Sequence, residues 1–233
     1  MNIEIIYEDK NFLAVNKPSG VLVHAISRGS NENTLVGFLL SKYPEIKNVG
    51  DAPDIRPGIV HRLDKDTSGV MAVAKNQKYF EYLKDLFQKR KVKKTYVVLV
   101  RGRVEPRDGI ISKPIGLKSG TTKRTVFTEN AKMVKSAETG YKLKKYLNVG
   151  GEDYSLLEVM PKTGRTHQIR VHLASIGHPI AGDKIYGKKV NPPGLNRLFL
   201  HAESLEFPKA EGERIKISAE LPQELQELVD KNS

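Results

Sequence analysis

The sequence predicts an α+β fold built on a mostly antiparallel mixed sheet, with a few helices flanking it. Short runs rich in β-branched and aromatic residues outnumber the stretches with helical periodicity. The two kinds of segment do not alternate along the chain, as they would in a doubly wound parallel sheet. The turn Gly150-Gly151-Glu152-Asp153 instead connects two neighbouring β-type runs as a hairpin.

The first third of the chain predicts paired strands and two capped helices. Residues 3–7 and 12–16 are β-type runs separated by a turn, and residues 21–24 and 70–74 are further extended runs. Thr34 is placed to cap a helix that ends near Tyr43. Asn76 is placed to cap a second helix, whose aromatic and leucine side chains recur at helical spacing and predict a core face.

The rest of the chain continues the β character and ends in a helix. A strong β-type run over 95–100 directly follows a cluster of basic residues, and two short helices are expected in the last third of the chain. The expected strands are 95–100, 110–111, 125–128, 140–147 and 154–160, and the expected helices are 168–176 and 223–229.

Composition excludes several classes of protein. The chain has 233 residues, enough for one large domain or two small ones, and it contains no cysteine. A disulfide scaffold, a thiolate zinc site, an iron–sulfur cluster and a cysteine nucleophile are therefore excluded. Two acidic residues among the first eight argue against a secretory signal, and no run approaches the ~18 apolar residues of a membrane span. We expect a cytoplasmic protein with no membrane partner.

The charge distribution indicates an anionic partner. The formal net charge is +12, and the segment 88–103 holds seven basic residues and no acidic one. A second segment, 113–145, holds nine basic residues against Glu129 and Glu138. Nucleic acid is the favoured interpretation, and a lysine-rich solvated surface is the alternative.

The densest polar cluster is the segment 61–69, His61-Arg62-Leu63-Asp64-Lys65-Asp66-Thr67-Ser68-Gly69. It lies between the apolar run 58–60 and the run 70–74, and loops between strands commonly carry reactive groups. A polar turn whose side chains cap local backbone groups is the alternative.

The second cluster is the segment 162–173, which contains Gly164-Arg165-Thr166-His167-Gln168-Ile169-Arg170. Thr166 is expected to cap the following helix, and Arg165 with the helix N-terminus would form an anion site. Arg170 lies among apolar neighbours, so an inward-facing side chain requires a carboxylate, for which an Asp of the segment 61–69 is the candidate. A surface helix with a snorkelling arginine is the alternative.

Together with Lys94-Thr95-Tyr96, these clusters resemble the RluA family of pseudouridine synthases. The matching residues occur in the family's order over nearly the whole chain. They are Asn16-Lys17-Pro18-Ser19-Gly20, His61-Arg62-Leu63-Asp64, Thr67-Ser68-Gly69, Lys94-Thr95-Tyr96, the segments 164–173 and 178–183, Tyr186-Gly187 and Leu200-His201-Ala202. The resemblance implies the pseudouridine synthase fold with an active-site cleft.

The resemblance also implies roles for individual residues. Asp64 would be the essential carboxylate, acting either as a nucleophile or by removing a ribose proton, and Arg170 would be its partner. Tyr96 would stack on the base or act as the general base. Arg62 would enter the space left by a flipped uridine. The remaining residues implied in RNA or uridine binding are His61, Lys94, Arg165, His167 and Leu173.

The resemblance implies an isomerase that turns a uridine of structured tRNA or ribosomal RNA into pseudouridine, with no metal or organic cofactor. Larger relatives carry an S4 RNA-binding domain before the catalytic domain, which here begins at about Ile3. We therefore expect the short form: a single catalytic domain over 1–233, without the S4 domain, acting as a monomer.

Two other functions are left as alternatives. Asp64-Lys65-Asp66-Thr67 fits the Asp-x-Asp-x-Thr pattern of haloacid-dehalogenase-like phosphatases, which use Mg²⁺. That pattern should end an apolar strand, whereas His61 and Arg62 stand just before it. A non-catalytic RNA-binding protein with the same basic face is the other alternative.

Overall fold

The computed structural model of the chain describes residues 2–25, 33–187, 191–210 and 212–232. It divides into two compact units. Unit 1 consists of Met1–Lys93 and Ala202–Glu220, and unit 2 consists of Lys94–His201 and Leu221–Ser233. The expectation of a single catalytic domain without an S4 module stays a prediction.

The secondary structure is dominated by short strands, as predicted. The strands are β1 (Glu4–Glu8), β2 (Phe12–Lys17), β3 (Ser68–Ala74), β4 (Lys93–Arg101), β5 (Asp108–Ile111), β6 (Ile115–Lys118), β7 (Arg124–Thr125), β8 (Ala131–Lys135), β9 (Thr139–Val149), β10 (Glu152–Pro161), β11 (Leu200–Pro208) and β12 (Arg214–Ser218). The helices are α1 (Leu35–Lys42), α2 (Gln77–Gln88), α3 (Gln168–Ser175) and α4 (Gln223–Lys231), with a 3-10 helix over Pro44–Asn48.

Unit 1 is built around two antiparallel strand pairs, β1 with β2 and β2 with β3. The register places Lys17, at the end of β2, opposite Gly69, at the start of β3. The loops that leave β2 and enter β3 therefore lie at the same end of this pair. All seven residues of β3 are buried, as expected for a central strand covered on both faces.

Unit 2 is an antiparallel sheet with a helix on each face. Its strands follow the order β4-β10-β9-β5. Val98 and Val100 of β4 share a hydrophobic cluster with Ile169 of α3, whereas Val97 and Leu99 share a second cluster with residues of α4. This separation follows from the two-residue period of a strand, whose successive side chains point to opposite faces. The helix that carries Arg170 is thereby fixed on one face of the sheet.

A second, three-stranded antiparallel sheet of unit 2 has the order β7-β6-β8. It lies between β5 and β9 along the chain and carries much of the positive charge of the segment 113–145. Four of the five residues of β8 are exposed. This sheet therefore has a large solvent-facing surface.

The predicted α+β class and most of the predicted elements are confirmed. Thr34 Oγ1 accepts a hydrogen bond from the Gly37 N–H at 3.1 Å, and Asn76 Oδ1 accepts one from the Tyr79 N–H at 2.9 Å, so both predicted helix caps form. The extended run at 21–24 forms only an isolated bridge, between Leu22 and Thr34. The strands β6, β8, β11 and β12 were not predicted.

Candidate active site

The segment 61–69 is an irregular loop of unit 1 that leads into β3. Ile59 makes an isolated bridge with Val73, and regular pairing resumes only at Ser68. The Thr67 N–H donates to the Asp64 carbonyl at 3.2 Å, which closes a turn. Arg62 is exposed and Asp64 is half-buried. The loop therefore presents Arg62 to solvent beside a partly shielded carboxylate.

A buried lysine holds this loop in place. The Lys17 side chain is fully buried, and its ammonium donates to the carbonyls of Pro18 at 2.8 Å, Val21 at 2.8 Å and Lys65 at 3.1 Å. The Lys65 carbonyl also accepts from the Gly20 N–H at 2.9 Å. Hydrogen bonds from a charged donor are stronger than neutral ones. Lys17 thus fixes the backbone next to Asp64, a positioning role that sequence reasoning did not assign.

His61 fixes the other end of the same loop. Its Nε2 accepts a hydrogen bond from the Ala72 N–H of β3 at 3.0 Å, so the ring proton of neutral His61 lies on Nδ1. The ring also stacks on Phe87 of α2, with ring centroids 4.5 Å apart. These contacts orient the loop, and the predicted role of His61 in RNA binding stays a prediction.

Gly69 lets β3 approach a neighbouring strand closely. Its φ is +118°, and an added Cβ would lie 2.2 Å from the carbonyl oxygen of Ala202. Real Cβ contacts at that distance do not occur, so only glycine fits. Backbone packing therefore explains the glycine of the Thr67-Ser68-Gly69 motif.

Tyr96 and Leu173 belong to one hydrophobic cluster of unit 2. Tyr96 is partly buried and packs against the cluster of β4 and α3 side chains that contains fully buried Leu173. Lys94, two residues earlier on β4, donates to the Thr163 carbonyl at 2.9 Å. The cluster brings Tyr96 to the face of the sheet that carries α3. The roles of Tyr96, Lys94 and Leu173 towards a uridine stay predictions.

The N-terminus of α3 is capped differently from the expectation. Thr166 does not cap the helix: the N-cap residue is His167, which has left-handed backbone (φ 57°) and makes no side-chain cap. The Gln168 side-chain oxygen instead accepts from the Arg165 N–H at 3.0 Å and from the Thr163 hydroxyl at 2.6 Å. Left-handed backbone at a non-glycine residue costs about 1–3 kcal/mol and is concentrated at functional sites.

Arg170 forms a buried, bidentate ion pair with Asp183. Its Nε donates to Asp183 Oδ2 and its terminal nitrogen to Oδ1, both at 2.8 Å, and the two side chains are only 5% and 0% exposed. Oδ1 also accepts from the N–H groups of Ile185 and Tyr186. Burial alone would raise the pKa of Asp183, but the Arg170 hydrogen bonds and charge lower it. Asp183 is thus a carboxylate partner of Arg170 that sequence reasoning missed; the expected pairing with Asp64 stays a prediction.

Tyr186 joins this ion pair to the start of α3. The guanidinium carbon of Arg170 lies 5.3 Å from the centre of the Tyr186 ring. The Tyr186 hydroxyl is 3.0 Å from His167 Nδ1 and accepts from the Arg124 N–H at 2.9 Å. The sequence signal for this arrangement was the segment 178–183 together with Tyr186-Gly187, which resembled the family but received no structural role.

His172 is a buried structural histidine. Its Nδ1 is 2.9 Å from the Thr139 hydroxyl, and its Nε2 is 2.9 Å from the Lys113 carbonyl. A carbonyl can only accept, so Nε2 carries the proton. Burial lowers the pKa of His172 and favours the neutral ring.

The predicted site residues fall into two groups. His61, Arg62 and Asp64 lie on one loop of unit 1, and the others belong to unit 2. The unit 2 residues are Lys94, Tyr96, Arg165, His167, Arg170 and Leu173. Arg165 is partly buried, and its Nε donates to the Ser136 carbonyl at 3.1 Å. The catalytic and binding roles of all of them stay predictions.

The structure does not favour the phosphatase alternative. Residues 60–64 are not in a strand, so the Asp-x-Asp-x-Thr pattern does not end one. Within the described ranges, no group of three or more His, Asp or Glu side chains is arranged to hold a metal ion.

No helix in the described part of the chain is long and apolar enough to cross a membrane.

Comparison with known proteins decides the family. A family profile described as RNA pseudouridylate synthase matches residues 11–175. The chain belongs to this family. The match covers the segment 61–69, Lys94-Thr95-Tyr96 and the segment 164–173, and it confirms the resemblance to the RluA group.

Individual relatives agree with this assignment. An uncharacterized RNA pseudouridine synthase of Chloroflexus aurantiacus is 43% identical over 91% of this chain and 63% of the relative. A ribosomal large subunit pseudouridine synthase D of Borreliella burgdorferi is 40% identical over 94% of this chain and 65% of the relative. The chain thus spans less than two thirds of the length of these two proteins.

A solved structure confirms the fold. The human RNA pseudouridylate synthase domain containing 1 protein superposes with a TM-score of 0.78 and 28% sequence identity. The alignment covers 95% of this chain and 84% of the human chain. The predicted pseudouridine synthase fold is therefore confirmed.

Proposed function

We propose that this protein is an RNA pseudouridine synthase that isomerises a uridine of structured RNA, with Asp64 as the essential carboxylate. The observation that carries the proposal is the family match over residues 11–175, which contains the segment 61–64 intact. The clamped loop geometry supports it, because Lys17 and His61 hold the backbone on either side of Asp64.

The reaction exchanges one bond to the ribose for another. The bond between N1 of the base and C1′ of the ribose breaks, the base turns, and a bond forms between C5 and C1′. The proton on C5 leaves, and N1 takes up a proton, so the product is an isomer of the substrate. Asp64 either attacks as a nucleophile or removes a ribose proton to start the reaction.

The other site residues would handle the RNA. Arg62 is exposed on the loop, and its planar guanidinium suits stacking in the space left by the flipped uridine. Tyr96 would stack on the flipped base or take the C5 proton. Arg165 and His167, at the start of α3, would contact the phosphate backbone, with Arg170 held by Asp183.

Ribosomal RNA is the substrate class that we propose to test first. The B. burgdorferi relative is named as acting on the large ribosomal subunit, and a net charge of +12 suits any compact RNA. Transfer RNA is the second class. We propose that the protein works in the cytoplasm as a monomer and without a cofactor.

The decisive experiment measures tritium release from RNA that is labelled at C5 of uracil. Tritium leaves only when C5 forms the new bond to the ribose. Unmodified ribosomal RNA and bulk tRNA are incubated separately with the protein in the presence of EDTA. The native protein is expected to release tritium from at least one pool, and Asp64→Asn is expected to release none.

Asp66→Asn is the matched control. Asp66 is an exposed carboxylate two residues from Asp64 on the same loop, and it does not match the family's catalytic position. Its variant is expected to keep near-native release. Equal release by native protein and Asp64→Asn would contradict the assignment of Asp64. Absence of release together with equal RNA binding by both proteins would favour the non-catalytic alternative.

A further inference from the structure

The three-stranded sheet of unit 2 is strongly basic. We call residues 115–135, which comprise β6, β7, β8 and their turns, the basic sheet. Five basic residues and one acidic residue, Glu129, lie in this segment. The basic residues are Lys118, Lys123, Arg124, Lys132 and Lys135, and the four lysines are exposed. A surface of this charge favours a polyanion over a protein of mixed charge or an apolar partner.

The basic sheet also presents an aromatic ring to solvent. Phe127 is 83% exposed, the largest exposure among the large hydrophobic side chains of the described residues. Its backbone is nevertheless held, because the Phe127 N–H donates to Thr125 Oγ1 at 3.1 Å and the Ala131 N–H to the Thr128 carbonyl at 3.1 Å. The turn is therefore ordered by its own hydrogen bonds, and the ring is left available.

The apolar exposure continues on the neighbouring strand. Met133 is 67% exposed and Val134 is 43% exposed on β8, beside exposed Lys132 and Lys135. Interleaving of apolar and cationic side chains is typical of surfaces that bind single-stranded nucleic acid, where bases stack and phosphates pair with cations.

Hydrogen bonds connect the basic sheet to helix α3 within unit 2. The Arg124 N–H donates to the Tyr186 hydroxyl, which also contacts His167 at the N-cap of α3. His172 of α3 contacts the carbonyl of Lys113, two residues before β6. The sheet is thus fixed relative to the helix that carries Arg170.

We propose that the basic sheet binds an unpaired segment of the substrate RNA, with Phe127 stacking on one base and Lys118, Lys123 and Lys132 contacting phosphates. This inference rests on the proposed function, which makes RNA the substrate. It adds a specificity element for RNAs that have unpaired bases near the target uridine. A duplex without unpaired bases would engage only the lysines, because paired bases do not present their faces.

The test of stacking compares two RNA hairpins. Both are labelled with fluorescein, and one has a loop of about seven adenosines, within the range of single-strand binding sites. The other has the same loop backbone without bases. Neither loop contains uridine, so binding is measured by fluorescence anisotropy without turnover.

Phe127→Ala is expected to weaken binding of the adenosine loop about tenfold, in keeping with the loss of one stacked base. Phe127→Tyr should bind as the native protein does, since it keeps a ring. Ile110→Ala is the matched control, because Ile110 is another exposed apolar side chain of unit 2 outside the basic sheet. All variants should bind the loop without bases equally. Equal affinity of native protein and Phe127→Ala for the adenosine loop would overturn the proposal.

The lysines are tested by salt dependence. Changing Lys118, Lys123 and Lys132 together to Gln should reduce the slope of log Kd against log salt by about 2, since each phosphate contact contributes about 0.7 on a single strand. The control changes three exposed lysines of unit 1, Lys10, Lys78 and Lys216, to Gln and should leave the slope unchanged. Equal slopes for both triple variants would overturn the lysine contacts.

The outcome is separable from that of the proposed function. Binding of hairpins without a target uridine does not depend on Asp64, whereas tritium release does. Loss of stacking in Phe127→Ala together with no tritium release would support the RNA surface and contradict the enzymatic assignment. Tritium release by the native protein, together with unchanged binding of the adenosine loop by Phe127→Ala, would support the enzymatic assignment and contradict the proposed RNA surface.

Discussion

Replacing Asp183 by Asn should strongly destabilise the protein, although the change keeps the size of the side chain. In the native structure one carboxylate oxygen accepts from Arg170 Nε, and the other accepts from Arg170, Ile185 and Tyr186. An Asn side chain carries an NH₂ group in place of one oxygen. In either orientation that group faces an N–H donor, and the buried guanidinium loses the negative charge of Asp183.

The size of the expected loss of stability follows from the burial of the two side chains. The Arg170 and Asp183 side chains are 5% and 0% exposed, so solvent does not screen the remaining charge. Removing one partner of a buried ion pair costs about 3–5 kcal/mol. At about 2–4 °C per kcal/mol for a chain of this size, Asp183→Asn should lower the melting temperature by roughly 6–20 °C. Differential scanning calorimetry at pH 7 measures this shift.

An exposed ion pair provides the control. Arg197 pairs with Glu224 at 3.0 Å, but the Glu224 side chain is 58% exposed. Glu224→Gln should therefore cost less than about 1 kcal/mol. A melting temperature of Asp183→Asn within about 2 °C of the native value would refute the reasoning, because it would mean that the Arg170–Asp183 pair contributes little to the stability of the protein.

The same pair predicts a pH dependence. The pKa of Asp183 is lower in the folded protein than the unfolded value of about 3.9. Its contribution to stability is therefore present above about pH 4 and is lost as the pH falls through the folded pKa. The difference in melting temperature between native protein and Asp183→Asn should be constant from pH 7 to about 5 and should shrink below about pH 4.

Three further changes test other parts of the structure. Gly69→Ala should abolish soluble expression, because the new Cβ would lie 2.2 Å from the Ala202 carbonyl oxygen, whereas Gly164→Ala, with no atom within 4 Å, should express normally. Lys17→Met removes the donor to three carbonyls around the candidate catalytic loop. This change should lower kcat about 100-fold with little change in RNA affinity, because the loop would no longer be held in position. An unchanged kcat would contradict the positioning role of Lys17. Burial lowers the pKa of His172 below its usual value of about 6.5, so the unfolded chain takes up a proton there more readily than the folded protein does. The free energy of unfolding of the native protein should therefore decrease as the pH is lowered from about 7 to 5. In urea unfolding, the free energy of unfolding of His172→Gln should depend less on pH over this range.

Much of the fold could be predicted because local signals were strong. Thr34 and Asn76 are good N-cap residues followed by apolar side chains at helical spacing, and both caps form. The β-branched run of β4 predicted a strand, and the structure forms it with Val98 and Leu99 fully buried. Local propensity and tertiary environment agree at these positions.

The missed strands lack such signals. β8 is a short run in which two lysines flank exposed Met133 and Val134, so it has no buried alternating face. β11 is interrupted by Glu203 and Glu206 although most of its residues are buried. Pairing with other strands, rather than intrinsic preference, defines these elements.

The candidate site could be located from motifs but not explained by them. The prediction that an inward-facing Arg170 needs a carboxylate partner was correct. Asp183, however, was noted only because the segment 178–183 resembles the family, and it was not predicted to pair with Arg170. The Thr166 cap failed because Gln168 and Thr163 provide a side-chain network at the start of α3 instead. Contacts between residues distant in sequence, such as Lys17 with the Lys65 carbonyl, leave no local pattern.

The most direct test of the central claim is the nucleoside composition of ribosomal RNA after reaction. Unmodified large-subunit RNA is incubated with native protein, Asp64→Asn or Asp66→Asn, digested to nucleosides and separated by liquid chromatography. Native protein and Asp66→Asn should produce pseudouridine in an amount equal to the uridine lost, and Asp64→Asn should produce none. Pseudouridine formed at the native level by Asp64→Asn would contradict the assignment of this carboxylate as the essential catalytic group.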